Sequence, residues 1–452
     1  MNLGVEGSGG NYPWAAESIR RPQVPHAAPA PSLDGSLGHL APRGTGLYPS
    51  SMTPPDLPLD LRPAREGDLI PLARLWALAF PGEPSVANRA RQLREGGPYG
   101  GLETAWVAER NGRMAGAFRA YDLTLHLFGH PFPTLGLAAV AVHPSFRRMG
   151  VGGALCRAAL RLGRERGDFL SALYPFRVDY YARLGFTLAG EFHRYRFPPA
   201  SLPLFPGWER IRMLVPDERI PRIPRFYASL LPRLHGVAHR TPAMWEFLKE
   251  EETQVWGLGS RDGEDGELEG YMVTDSHPRR RGRGAELRVR ELLVEDADGY
   301  RAFLGWLSAQ RDQWTEIIYD ALPGERLQQV LSHPRLPGTG TGRGLWFPSA
   351  TILRGPMLRI LRLPDVLARL GFREGAVLDV RDAEFPENSG RWSGSGEQDP
   401  QRVRGRAIEG ALPISLVTGL LAEGELPGLP PPAASRFDPV MGIRDFRILD
   451  VF

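Results

Sequence analysis

The chain has a single cysteine, Cys156, and a single lysine, Lys249, among its 452 residues. One cysteine excludes an internal disulfide framework and a metal cluster of the cysteine type. Cys156 lies in a segment with helical periodicity, where we expect a small buried apolar residue rather than a nucleophile. Nearly all of the 55 basic residues are therefore arginines, and the formal net charge is only +3. This charge gives no indication of nucleic-acid binding.

Long apolar runs are also absent. No run approaches the length of a membrane span, and the N-terminal region lacks the apolar core of a signal peptide. The ten histidines show no spacing typical of metal ligands. We therefore predict a cytoplasmic protein with no metal site and no membrane contact.

The length of the chain predicts two to three domains. Residues 1–55 are rich in glycine, proline, serine and alanine and have no sustained period, so we predict a disordered or loosely ordered extension. Regular patterns begin near Leu59. A strand at Asp60–Arg62, an amphipathic helix at Asp68–Phe80 and a hairpin around Asn111-Gly112 follow in that order.

The stretch from Thr134 to Gly185 carries the functional prediction. An apolar run over 135–142 predicts a strand, and Pro144 ends it because proline cannot donate to a ladder. A glycine-bearing turn with the spacing Arg147-x-x-Gly150-x-Gly152 comes next, and a helical pattern follows it. The order is strand, turn and helix.

This order suits an anionic ligand. The first amides of a helix lack intrahelical partners and carry the positive end of the helix dipole. Glycines let the backbone approach a ligand closely, so a diphosphate can contact the bare N–H groups. The spacing matches neither a P-loop nor the Rossmann glycine pattern.

The turn resembles the acetyl-CoA signature of the GNAT (Gcn5-related) N-acetyltransferases. The later element Tyr181-x-Arg183-Leu184-Gly185-Phe186 is typical of the same superfamily, and it resembles that of the Eis-like (enhanced intracellular survival) acetyltransferases. The resemblance implies an α+β protein with tandem GNAT-type domains and a sterol-carrier-protein-like C-terminal domain. It places a GNAT domain at 56–200, a second, degenerate one at 201–345 and the sterol-carrier-like domain at 346–452.

The degenerate character of the second domain follows from its charge. Where the first unit has its glycine turn, the second has Glu295-Asp296-Ala297-Asp298-Gly299. Acidic side chains at this position would repel a diphosphate. We therefore predict one cofactor site, in the first domain.

The resemblance implies which residues bind acetyl-CoA, the co-substrate. The backbone of the strand contacts the pantetheine arm, and the turn holds the diphosphate. A second cofactor contact lies at the end of the next strand, which is predicted at Ser171–Phe176. The residues are Val140, Ala141 and Val142 for the arm, Arg148, Met149, Gly150, Val151, Gly152 and Gly153 for the diphosphate, and Phe176 and Arg177 for the second contact.

Two catalytic groups are predicted in the same way. Tyr181 is the general acid that protonates the leaving CoA thiolate, and the family motif selects it over its neighbour Tyr180. The resemblance also implies that the carboxylate of the terminal residue Phe452 is the general base. The apolar run Ile448–Phe452 is unusual for a frayed tail and agrees with this role.

The resemblance implies acetylation of the amines of small polycationic acceptors, such as aminoglycosides or polyamines, by a homohexamer. Asp445 and Asp450 would attract such a cation. Two alternatives stay open: a lysine or peptide acetyltransferase, and a lipid carrier or scaffold with a vestigial acetyltransferase site. The run Arg279–Arg283 is interpreted as a solvated loop rather than as a nucleic-acid contact.

Overall fold

The N-terminal part of the described chain contains the elements predicted for the first domain. The computed structural model describes residues 59–82, 84–259, 267–278, 285–338, 346–395, 398–403, 410–426 and 429, so the predicted extension 1–55 lies outside them. The first elements are β1 (Asp60–Pro63), α1 (Leu69–Ala79), α2 (Val86–Glu95), β2 (Ala105–Arg110), β3 (Arg113–Leu127), β4 (His130–Val142), α3 (Val151–Arg166), β5 (Leu170–Leu173), α4 (Val178–Ala182) and β6 (Thr187–Leu188).

The hairpin predicted at Asn111-Gly112 is confirmed and joins β2 to β3. Both residues have a positive φ, 52° and 69°, which is the backbone that a two-residue turn of this type needs. Helix α2 was not predicted. It begins after Ser85, whose hydroxyl accepts a hydrogen bond from the amide of Asn88.

The remaining elements form the middle and the last part of the chain. In the middle are β7 (Glu191–Phe197), β8 (Ile211–Met213), α5 (Pro216–Leu230), β9 (Val237–Ala238), β10 (Gln254–Gly259), β11 (Leu268–Pro278), β12 (Ala285–Val294), α6 (Ala297–Ala309) and β13 (Glu316–Ala321). The last part has β14 (Thr351–Arg354), β15 (Met357–Ile360), α7 (Leu363–Arg369), β16 (Val377–Arg381), β17 (Gly390–Ser395), β18 (Gln398–Val403), β19 (Leu412–Pro413) and α8 (Ile414–Ala422).

Within the described residues these strands form three sheets. The first has the order β1-β2-β3-β4-β5-β15-β6, with β9 paired to β3. The second has the order β14-β7-β13-β12-β11-β10-β8, and the third β18-β17-β16-β19. In the first two sheets a long antiparallel pair is followed by one parallel pair, β4 with β5 and β12 with β13.

Strand pairing does not follow the predicted domain boundaries. β7 falls within 56–200, but it lies between β14 and β13 of the second sheet. β15 falls within 346–452, but it lies between β5 and β6 of the first sheet, and β9 also pairs with the first sheet. The predicted boundaries followed order along the chain, whereas the partners of a strand are chosen by long-range contacts.

One hydrophobic cluster joins the first sheet to the last part of the chain. It contains Leu170 and Ala172 of β5, Ile360 of β15, Val366 of α7 and Leu421 of α8, all buried. A second cluster lies between the first sheet and α3 and includes Cys156, which is buried as predicted. The C-terminal unit therefore packs directly on the sheet that carries the predicted site. No helix in the described ranges is long and apolar enough to span a bilayer.

Candidate active site

An extra residue in β4 distorts the strand where the cofactor site is predicted. Ala117 of β3 pairs with Ala141, but Arg119 pairs with Ala138, so β4 has one residue more than its partner. Ala139 takes up the extra length with a φ of 50°. The indole Nε1 of Trp76 donates to the Ala139 carbonyl at 2.7 Å and fixes this bulge. The strand beyond it bends away from its neighbour, as bulged strands do.

The bend leaves one edge of β4 open. β4 and β5 pair in parallel only over Thr134–Gly136, with partners Leu170–Ala172. β5 ends at Leu173, two residues before Pro175, so the predicted strand Ser171–Phe176 is shorter than expected. Within the described chain, no ladder hydrogen bond joins Val140–Val142 to β5. Their backbone groups on that side are available to an extended ligand.

The predicted diphosphate turn ends in an uncapped helix. Gly150 is the N-cap of α3, with a φ of 83°, and no side chain of the described residues caps the helix. Among the described residues, the amides of Val151, Gly152 and Gly153 have no hydrogen-bond acceptor. Arg148 and Met149 are exposed beside them. Free amides at a helix N-terminus are suited to binding an anion.

Tyr180 lies directly over this turn. A β-carbon at Gly152 would be 2.7 Å from the Tyr180 hydroxyl and 3.5 Å from a methyl of Val142. A side chain at position 152 would therefore displace the Tyr180 ring. Burial raises the pKa of Tyr180 and raises that of Cys156 to about 12, so both are protonated at neutral pH.

Tyr181 is buried in the cluster between β5 and α3. Its side chain is 4% exposed, and its ring makes edge contacts with those of Tyr180 at 5.1 Å and Phe186 at 6.0 Å. Burial, with smaller contributions from Cys156 and Tyr180, raises the pKa of the phenol. A phenol that keeps its proton over the whole neutral range suits a proton donor.

Phe176 and Arg177, the predicted second cofactor contact, lie in the loop before α4 and not at a strand end. Phe176 is 69% exposed, with its ring 5.4 Å from that of Tyr180. Arg177 forms two hydrogen bonds with Asp179, at 3.0 and 2.5 Å. An exposed apolar ring beside the two phenols is placed to contact a ligand.

Sequence reasoning missed Arg359 of β15. Its guanidinium is fully buried and donates to the carbonyl of Leu184, in the turn that follows Tyr181. The available signal was an arginine inside the apolar run Leu358–Leu361. Nothing in the sequence indicates what a buried arginine at this position would contact.

The second sheet repeats the bulge but not the open helix end. β12 has one extra residue opposite Val273 and Thr274, and α6 follows it. Asp296 caps α6, accepting a hydrogen bond from the amide of Gly299 at 2.8 Å. A carboxylate thus occupies the place that a diphosphate would need. The residues therefore do not fit a second acetyl-CoA.

Some predicted residues lie outside the described part of the chain. They are Phe452, the predicted base, the acidic residues Asp445 and Asp450, and the run Arg279–Arg283. Among the residues that are described, no group of three or more histidine, cysteine or acidic side chains is arranged to hold a metal ion.

Comparison with known families agrees with the strand, turn and helix of the site. Residues 60–189 match one acetyltransferase (GNAT) domain family, and residues 236–360 match a second acetyltransferase (GNAT) domain family. Both matched segments are GNAT domains. The tandem GNAT domains predicted from the sequence are confirmed, and both models describe acetyltransferase domains.

Within the superfamily the chain is similar to the Eis proteins. It is 27% identical over 282 residues to N-acetyltransferase Eis of Mycobacterium tuberculosis and of Mycobacterium bovis, which covers 58% of this chain. The match spans 65% of the length of these curated relatives.

Solved structures share the fold. A GCN5-related N-acetyltransferase from Anabaena variabilis is 19% identical, with a TM-score of 0.67 over 87% of this chain and 100% of that one. Eis1 from Mycobacterium abscessus is also 19% identical, with a TM-score of 0.63 over 81% of this chain and 90% of that one.

Proposed function

We propose that this GNAT protein is a cytoplasmic acetyl-CoA-dependent N-acetyltransferase that acetylates amines of small polycationic acceptors. The observation that carries the proposal is the open edge of β4 running directly into the uncapped N-terminus of α3. An extended ligand with an anionic end fits these two features together. The pantetheine arm and diphosphate of acetyl-CoA have this shape and charge.

In this proposal the arm lies along the backbone of Val140–Val142 and pairs with β4 as an added strand would. The diphosphate accepts hydrogen bonds from the amides of Val151, Gly152 and Gly153, with the Arg148 guanidinium beside it. Phe176 contacts the donor at the far side of the opening. The thioester then lies beyond the bulge, on the side of Tyr181.

The chemistry is direct transfer. The nitrogen of the acceptor amine attacks the thioester carbonyl carbon, and the C–S bond breaks as the tetrahedral intermediate collapses. Tyr181 gives its phenolic proton to the departing sulfur, and the nitrogen loses a proton to a base. The products are an acetamide and CoA. A positioned general acid contributes about 10²- to 10⁴-fold to such a step.

The base and the assembly rest on the resemblance to Eis-like enzymes. We assign the base to the Phe452 carboxylate, acting on the amine or on a water. Appending one glycine to Phe452 moves that charge by up to about 3.5 Å and should lower turnover without lowering acetyl-CoA affinity. Equal turnover of the extended and native chains would contradict the assignment.

The same resemblance supports a homohexamer and a sterol-carrier-like C-terminal unit. The sterol-carrier-like unit would consist of the four-stranded sheet β18-β17-β16-β19 together with α7 and α8. The acceptor class also comes from the resemblance. Aminoglycosides and polyamines are therefore the first acceptors to test.

Two measurements test the proposal. Calorimetry with acetyl-CoA should give saturable binding, and a panel of aminoglycosides, polyamines and lysine-containing peptides should show CoA release with the first two groups. CoA release only with peptides would favour a peptide acetyltransferase. Absence of acetyl-CoA binding would favour a carrier or scaffold.

A further inference from the structure

Arg359 is the largest charged group buried beside the predicted active site. It lies on β15, between β5 and β6 of the first sheet, and its side chain is 0% exposed. A buried guanidinium is costly unless it is paired and hydrogen-bonded. Both Nη atoms of Arg359 have partners, whereas Nε has none among the described residues. The partners of Arg359 therefore define a fixed arrangement of the surrounding chain.

Two segments supply these partners. Nη2 donates to both carboxylate oxygens of Asp382, at 2.8 and 3.0 Å, and Nη1 donates to the carbonyl of Leu184. The guanidinium carbon also lies 5.1 Å from the centre of the Phe385 ring. The planar fork of arginine can hold both acceptors at once, which a lysine ammonium at the same place cannot do.

Leu184 belongs to the turn that ends the Tyr181 helix. The amide of Leu184 donates to the carbonyl of Tyr181 at 2.9 Å, and that of Phe186 donates to the same carbonyl at 3.3 Å. Gly185 between them has a φ of 83°, and a β-carbon there would overlap the Arg359 guanidinium. The glycine of the Leu184-Gly185-Phe186 element thus makes room for Arg359.

Helix α4 has only five residues, so its own hydrogen bonds hold Tyr181 weakly. The loop that contains Asp382 provides an external support. Asp382 also accepts from the side-chain amide of Asn388 at 2.9 Å, and Glu384 pairs with Arg157 of α3 at 2.9 Å. The same loop is therefore linked through Arg359 to the Tyr181 turn, and it contacts α3 directly.

We propose that Arg359, held by Asp382, is a positioning residue that fixes the Tyr181 hydroxyl relative to the thioester. This inference rests on the proposed function, in which Tyr181 is the general acid. Arg359 itself touches neither donor nor acceptor. Its effect is on the transfer step and not on the binding of acetyl-CoA.

Arg359→Lys is the test variant, and Arg240→Lys is its matched control. Arg240 is paired with Glu291 in the second unit, with side-chain exposures of 3% and 9%, and it also lies over aromatic rings. Both changes replace a buried guanidinium group by an ammonium group, so both should lower the melting temperature.

At a temperature where both variants are folded, Arg359→Lys should lower kcat by roughly 10- to 100-fold, with unchanged acetyl-CoA affinity. Arg240→Lys should keep the native kcat. Equal losses of kcat in the two variants, or none in either, would contradict the proposal.

A double-mutant cycle separates positioning from general destabilisation. If Arg359 acts through Tyr181, then Arg359→Lys should change kcat little in a Tyr181→Phe background. The same fold-loss in both backgrounds would overturn the inference.

A spectroscopic readout does not depend on turnover. With 3-fluorotyrosine incorporated at position 181 of the full chain, Arg359→Lys should shift or split the fluorine resonance, whereas Arg240→Lys should leave it unchanged. An unchanged resonance in Arg359→Lys would refute the positioning role. If the native chain acetylates no amine, the proposed function fails, and this spectrum still decides whether Arg359 positions Tyr181.

Discussion

Gly150 and Asp296 occupy the same position in the two GNAT units: each is the N-cap of the helix that follows the bulged strand. Gly150 leaves the first amides of α3 without an acceptor, whereas the Asp296 carboxylate caps the amide of Gly299. One unit therefore offers an anion site, and the other satisfies that site with its own side chain. In the proposed function, this difference assigns acetyl-CoA binding to the first sheet only.

Replacing Gly150 by glutamate should abolish acetyl-CoA binding. The new carboxylate would stand at the bare amides and repel the diphosphate. Calorimetry on the folded variant measures the effect. Gly207→Glu is the control, since Gly207 has a similar φ of 90° and caps a 3-10 turn in the second unit. Native affinity in Gly150→Glu would show that the diphosphate binds elsewhere.

Asp296→Ala should destabilise the protein by about 1 kcal/mol, because the loss of an N-cap side chain typically costs 0.5–2 kcal/mol. Denaturant unfolding measures this change. Calorimetric stoichiometry should stay at one acetyl-CoA per chain in the native protein and in the variant. A stoichiometry of two in either protein would mean that the second unit also binds the donor.

Tyr181→Phe should lower kcat by roughly 10²- to 10⁴-fold and leave the acetyl-CoA dissociation constant nearly unchanged, since it removes only a proton donor. Tyr180→Phe is the natural comparison. The Tyr180 hydroxyl lies over Gly152, so its removal should affect donor affinity more than kcat. A larger loss of kcat in Tyr180→Phe would transfer the acid role to that residue.

His235 should make the fold sensitive to acid. It is buried, with Nε2 2.9 Å from the Ala422 carbonyl, and burial lowers its pKa from 6.5 to about 4. The unfolded chain takes up a proton below pH 6.5, whereas the folded chain resists it. The contribution of His235 to the free energy of unfolding is fully present above pH 6.5. It is lost as the pH falls towards 4, and the loss is at most about 3 kcal/mol.

Denaturant unfolding of native protein and His235→Gln between pH 7 and pH 4.5 measures this loss. His235→Gln should show a shallower fall in stability, while the exposed His333→Gln should follow the native curve. Parallel curves for native protein and His235→Gln would exclude His235 as the source.

Local sequence determined the cofactor turn. The apolar strand, the break at Pro144, the glycines and the helical period are interactions between near neighbours, so the uncapped end of α3 follows from residues 135–162 alone. The same holds for the hairpin at Asn111-Gly112, whose backbone requires residues that tolerate a positive φ. The acidic side chains around Asp296 likewise predicted, from their charge alone, that the second unit has no diphosphate site.

Tertiary structure alone decided which distant segments meet at the site. The pairing of β15 with β5 and β6 brings Arg359 beneath the Tyr181 turn, where it contacts Leu184, 175 residues away along the chain. No sequence pattern predicts this contact, nor the pairing of β7 within the second sheet. A strand's own residues specify that it is extended and which face is apolar, but not its partner. Partners are selected by the packing of the whole core, where a buried arginine finds its acceptors only after both segments are in place.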